Sequence, residues 1–194
     1  NAVDSLSSAP PKVSTAWQQQ IANGMEVLSG CGCCCAIHGL SILITVKIQG
    51  KQKQLLFDMG PHDQTLIDNC RKLSIEFDQL DAMMFSHGHF DHAGGVLAAL
   101  ALWSKYHANE KIPLYLNHDM LVKRGVAFND SVVELESLVA PEVMEQAGAK
   151  IIDTGKEPHA CLDNLFYISG EIERKTSYEE GMINHLRYNE AQST

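Results

Sequence analysis

At 194 residues the chain is long enough to bury a sizeable core, and one domain is the expected organisation. Fifteen basic against 24 acidic residues give a net charge of −9, a field that repels phosphate backbones and argues against nucleic acid as a partner of the bulk surface. A bound cation in one pocket would still attract a small anionic substrate locally. No apolar run approaches the roughly 20 residues that span a bilayer, and no basic flank followed by an apolar core marks a secretion signal. The expectation is a cytoplasmic protein without a membrane segment; because the first residue is Asn1, a processed chain is expected.

Residues 1–16, with Ser7-Ser8-Ala9-Pro10-Pro11, read as a flexible lead-in to a domain over 17–194. Four of the six cysteines crowd into Cys31-Gly32-Cys33-Cys34-Cys35. Neighbouring cysteines pair poorly with one another, so the cluster reads as reduced thiols rather than as a disulfide framework. A thiolate metal site is one reading. A run of small residues entering a buried strand is favoured over it, since no second cysteine pair at finger-like spacing completes a structural site. Cys70 and Cys161 are expected in the core.

Ser41 to Ile48 is apolar and β-branched, Gly50-Lys51 interrupts it, and Gln54 to Asp58 resumes it, which predicts a hairpin. Leu66, Ile67, Cys70 and Leu73 recur at helical spacing over 63–73. A short strand over Ala82 to Phe85 leads into Ser86-His87-Gly88-His89-Phe90-Asp91-His92-Ala93-Gly94-Gly95, and an apolar helix follows over Val96 to Tyr106. A strand at Pro113 to Leu116, a helix after Pro141, and strands at Lys150 to Asp153 and Leu165 to Ile168 complete the series. Strands alternating with helices predict an α/β layered fold.

The turn from strand to helix is where such folds display functional groups. Here it carries His87, His89, Asp91 and His92, three imidazoles and a carboxylate that suit zinc, with iron or manganese as alternatives. On extended backbone His87 and His89 point the same way and can share one ion, while Asp91 and His92 can diverge toward a second. Gly88 and Gly94-Gly95 are expected to permit torsions closed to other residues.

With the strand before it and the Gly-Gly and helix after it, this loop resembles the signature of the metallo-β-lactamase superfamily. Asp58, in Phe57-Asp58-Met59-Gly60, resembles the aspartate that braces the metal loop in that family. His38-Gly39-Leu40-Ser41 and Ser169-Gly170-Glu171-Ile172-Glu173-Arg174 narrow the resemblance to the branch containing dihydropterin–ribofuranosylaminobenzene phosphate synthase. The resemblance implies the N-terminal portion of an αββα sandwich. It also implies a hydrolase with one or two ions on His87, His89, Asp91 and His92, where Asp91 orients a water that attacks an ester or phosphoester of a small molecule.

The later ligand motifs of these relatives are not recognisable, so the domain reads as C-terminally incomplete. The alternative is therefore a catalytically deficient metal-binding or interaction subunit. A missing second half would leave an apolar sheet face for a second copy or a complementary chain to cover. Of the other histidines, His118 is the nearest substitute ligand, just past a strand end; His107, His159 and His185 are expected at the surface.

Overall fold

The computed structural model describes residues 11–27 and 30–188. Most of the expected lead-in, residues 1–10, lies outside that range, as does the side chain of Cys31. Helix α1 (Ala16–Ala22) opens with a capping box: the Thr15 hydroxyl accepts from the backbone of Gln18, whose side chain accepts from the Thr15 backbone. Regular structure thus starts at the end of the span read as a lead-in.

Strands β1 (Ile42–Ile48) and β2 (Lys51–Phe57) form the expected antiparallel hairpin, Ile42 opposite Phe57 and Ile48 opposite Lys51. Gln49 and Gly50 both have positive φ, as a two-residue turn of the right twist requires. Helix α2 (Asp63–Lys72) follows, with the His62 ring accepting from the Gln64 backbone, Asp63 in the first turn, and Arg71 and Lys72 in the last, an arrangement that complements the helix dipole. Strand β3 (Ala82–Met84), the single-turn helix α3 (Phe90–Ala93) and helix α4 (Val96–Ser104) come next. They lead to β4 (Ile112–Leu116), the hairpin β5 (Arg124–Phe128) and β6 (Ser131–Glu134), helix α5 (Pro141–Gln146) and β7 (Ala149–Asp153). A second hairpin, β8 (His159–Cys161) and β9 (Phe166–Ile168), and a short β10 (His185–Arg187) end the described chain.

The main sheet has the order β1-β2-β3-β4-β7, antiparallel at its first pair and parallel from β2 onward. Alternation along each strand sends Leu56, Met83, Leu114 and Ile151 to one face, where α2, α4 and α5 pack. Helix α4 is apolar almost all round because it is buried there; Leu100 and Ala99 have no exposed surface. The Trp103 indole packs into the same layer and donates to the Leu80 carbonyl, so its N–H is satisfied. Leu55, Ala82, Tyr115 and Ile152 point to the opposite face. The expectation of a bare second face is corrected in part: β8–β9 lies across it and buries Leu55, Tyr115 and Ile168 in a small second cluster.

Residues 112–153 contain an excursion. The β5–β6 hairpin leaves the top of the sheet between β4 and α5, and β10 pairs with the free edge of β5 to give a separate three-stranded sheet. None of these three strands stood out in the sequence. Their consequence is positional, since they bring Arg124 and His185 to the histidine loop.

The cysteine cluster does not enter a buried strand. Residues Gly30–Gly32 form a 3-10 turn and β1 begins only at Ile42. The stretch between docks on α2, where the Asn69 side chain accepts from the Cys35 N–H and donates to the Cys35 carbonyl, and Lys72 donates to the Cys33 carbonyl. Asn69 thereby satisfies backbone groups that a strand partner would otherwise have taken. Cys70 is buried as expected, and Cys161 is half-buried beside Tyr115.

Candidate functional site

The site begins at Asp58, the residue after β2. Its backbone N–H donates to the Met84 carbonyl, and its φ of 60 turns the chain sharply away from the sheet. The carboxylate is completely buried, yet it is satisfied. Oδ1 accepts from the Ser86 N–H at 2.7 Å, and Oδ2 accepts from the Ser86 hydroxyl and contacts His92 Nδ1, each at 2.7 Å. A buried carboxylate costs several kcal/mol unless it is paired in this way. Asp58 thus braces the loop, the position that the family resemblance gave it.

The two loops are also joined through their backbones. The Met59 N–H donates to the His92 carbonyl at 2.7 Å and the Gly95 N–H to the Gly60 carbonyl at 3.1 Å. Gly94 and Gly95 are needed for space rather than torsion. Neither has a positive φ, but a Cβ on Gly94 would run into the Pro61 carbonyl and one on Gly95 into the Met59 carbonyl.

His87 and His89 lie in the loop between β3 and α3, and Asp91 and His92 lie in the single turn of α3. The structure brings the expected residues together. Ring centroids of His87 and His89 are 4.7 Å apart, and those of His87 and His92 are 4.1 Å apart. Asp91 Oδ2 is 3.5 Å from His92 Nε2 and 3.3 Å from His38 Nε2. His92 therefore folds back onto His87, and the two expected half-sites merge into one cluster. The reason is Asp58, which anchors His92 Nδ1 directly while the Ser86 hydroxyl holds His87 Nδ1 at 2.9 Å.

Burial lowers His87 below the usual imidazole range, and the neighbouring charge of His92 lowers it further against the fields of Asp58 and Asp91. His89 is lowered by burial first, then by His87 and Arg124. Both rings are thus neutral near pH 7, the form with a lone pair to give. The donor set fits a metal ion in kind: the imidazoles of His87 and His92 are held at Nδ1, which leaves Nε2 for a ligand, with His89 and a carboxylate beside them. In disposition it is more open, since among the described residues no three His, Cys, Asp or Glu side chains group about one point.

His89 and Asp91 line a cleft of about 180 Å³, and His185 and Arg124 line it with them. His185, expected at the surface, sits on β10 with its ring 5.7 Å from that of His89. Only the pairing of β10 with β5 places it there, and no local pattern reveals that pairing. Arg124, on β5, lies against Gly88, where any Cβ would meet its guanidinium and the Met120 carbonyl. The other candidates stay outside. His118 pairs with Asp153 at 2.9 Å, His107 stacks on Trp103, and His159 contacts the Glu157 carbonyl.

Comparison with known proteins finds partial similarities. The family model described as the anti-Pycsar protein Apyc1 matches residues 33–124. The 7,8-dihydropterin-6-methyl-4-(β-D-ribofuranosyl)-aminobenzene-5′-phosphate synthase of Methanocaldococcus jannaschii is 29% identical over 147 residues, 74% of this chain and 47% of that protein. An uncharacterized protein of the same organism is 26% identical over 153 residues, 74% of this chain and 50% of that protein. The chain spans about half the length of the curated relatives it matches. Among solved structures, the subclass B3 metallo-β-lactamase MEM-A1, isolated from a soil metagenome library, aligns with a TM-score of 0.34 at 16% identity, covering 64% of this chain and 47% of that one.

Proposed function

We propose that the chain is a metal-dependent hydrolase of the metallo-β-lactamase superfamily, acting on an ester or phosphoester of a small molecule. The observation that supports it most directly is the Asp58–Ser86–His92 brace, a buried carboxylate that fixes an imidazole of the histidine cluster through Nδ1. His87, His89, Asp91 and His92 would hold the metal, zinc by donor type, as one ion or two. Such an ion supplies Lewis acidity and a more acidic water at neutral pH.

The chain's own residues do the rest. Asp58 and Ser86 keep the rings of His92 and His87 from rotating. Asp91, on the cleft wall between His38 and His92, is the carboxylate placed to orient the attacking water and take its proton. The apolar sheet beneath the loop keeps bulk water away from one side of the cluster.

A second reading, a metal-binding or interaction subunit without turnover, is favoured by one observation: no three donors group about a point among the described residues. Metal analysis of the purified chain with a phosphodiesterase and lactonase screen separates the two. Zinc in stoichiometric amount and hydrolysis, both lost in a His87→Ala/His89→Ala variant, support the hydrolase. Bound zinc without turnover supports the second reading, and metal at background level sinks the hydrolase.

A further inference from the structure

The cleft beside the histidine loop contains a cation that the proposed chemistry does not use. Arg124 is half-buried on β5, and burial lowers its pKa. One amino nitrogen bonds the Met120 carbonyl, and that nitrogen and carbonyl lie so close to the loop that position 88 has room only for glycine. Among the described residues it forms no ion pair. Asp91 on the same cleft is engaged by His38 and His92, and Glu136, also on the cleft wall, is exposed and outside pairing distance. A guanidinium has five N–H donors in a rigid fork. One is spent on Met120, and the cleft of about 180 Å³ is open in front of the rest.

We propose that Arg124 receives an oxyanion of the substrate, a phosphoryl group in preference to a carboxylate, immediately beside the histidine cluster. The proposal rests on the hydrolase reading for the word substrate, but the binding site itself does not need a metal. A planar carboxylate is satisfied by the fork alone, with two parallel bonds. The rings of His38, His89 and His185 line the same cleft. His89 and His185 thus add ring nitrogens to the guanidinium fork, more polar partners than two carboxylate oxygens use and a better match to a tetrahedral phosphate. The chain as a whole is strongly acidic, so a local cation at this cleft also selects where an anion can approach.

The test uses the full chain in excess EDTA, so that any metal contribution is removed. Inorganic phosphate and acetate are titrated calorimetrically at low ionic strength into the wild type, Arg124→Gln and Arg124→Lys. Phosphate is expected to bind the wild type more tightly than acetate, and to weaken by about tenfold or more in Arg124→Gln, the usual loss for a hydrogen bond to a charged group. Arg124→Lys, which keeps the charge but not the fork, is expected to fall between them and serves alone if Arg124→Gln does not fold. Equal phosphate affinity in wild type and variants, or no anion binding at all, overturns the proposal. Tighter acetate than phosphate overturns its phosphoryl assignment. A chain that binds phosphate through Arg124 but shows no zinc and no turnover would defeat the hydrolase reading and leave this site standing.

Discussion

Asp58 Oδ2 and His92 Nδ1 lie 2.7 Å apart, joining residues 34 positions apart in sequence at a point where the carboxylate has no solvent exposure. A carboxylate can only accept, so in the neutral ring Nδ1 carries the proton and Nε2 the lone pair. Asp58→Asn reverses this. The new amide N–H can donate to Nδ1, which moves the ring proton to Nε2 and removes the lone pair that a metal would need. We expect Asp58→Asn to fold with nearly native stability but to lose about 10–100-fold in zinc affinity, measured by competition with a chromophoric chelator. Asp58→Ala leaves the Ser86 N–H and the His92 ring unpaired in the interior, and is expected to cost about 3–5 kcal/mol in urea unfolding. Native zinc affinity in Asp58→Asn would show that the brace has no part in ligation.

Gly88→Ala tests the close approach at the loop. The added methyl would meet the Met120 carbonyl and the Arg124 guanidinium, neither of which is a loose end: one is backbone and the other is half-buried. Displacing them is expected to cost about 1–3 kcal/mol, the usual range for overpacking. The same change also shifts Arg124 away from the cleft. Gly60→Ala provides a contrast, because a Cβ there meets nothing within 4 Å, although its φ of 68 still carries a torsional strain. Chemical denaturation of both variants checks the order, and a Gly88→Ala protein as stable as wild type would show that the loop yields freely.

The parts of this fold that were legible in the sequence are those carried by local pattern. The β1–β2 hairpin and α2 carry a hydrophobic pattern, and α4 a continuous apolar run, over enough residues to be read without neighbours. So is the histidine loop, because four ligand-type side chains fall within six positions. What was not legible depends on distant pairing. His185 is one histidine in a polar stretch until β10 docks on β5 and carries it to His89. The cysteine run suggested a strand because its small residues carry no period of their own, and only Asn69 and Lys72 on α2 decide its path. Similarly, β8–β9 is too short to be recognised as a cover for the second sheet face.

The thiols separate into two chemical classes. Burial pushes the Cys70 thiol from 9.0 up to about 11, whereas Cys35 is exposed beside Lys72, whose Nζ lies 3.8 Å from its sulfur. Iodoacetamide near pH 8 is expected to label Cys35 rapidly and Cys70 only on unfolding, as peptide mapping would show. The same shift makes stability depend on pH. Below about 9 both folded and unfolded chains keep the proton and the contribution of Cys70 is fully present; between about 9 and about 11 only the unfolded chain ionises, so stability falls. The loss is bounded by about 3 kcal/mol for a shift of this size. Cys70→Ala should flatten that part of the stability–pH curve, and an unchanged alkaline slope would remove Cys70 as its cause.

The second sheet face gives the last prediction. Leu55, Ala82, Tyr115 and Ile168 are all buried, but the hairpin that covers them is only three residues to a strand, and Tyr167 on its outer side is 71% exposed. Beside it a hollow of about 260 Å³ opens between Ile44, Phe57 and Phe166. The cover is therefore thin, and Ile168 is the side chain that closes it. Ile168→Ala removes that closure and leaves a cavity against Tyr115, at an expected cost of about 2–4 kcal/mol. Because the lost packing faces an existing hollow, the newly wetted surface should also bind a hydrophobic dye such as ANS while far-UV circular dichroism stays native. Tyr167→Ala, on the outer side of the same strand, is expected to change stability by no more than about 0.5 kcal/mol. If both variants behave alike, the hairpin does not rest on the sheet through Ile168, and the second face is held by other contacts.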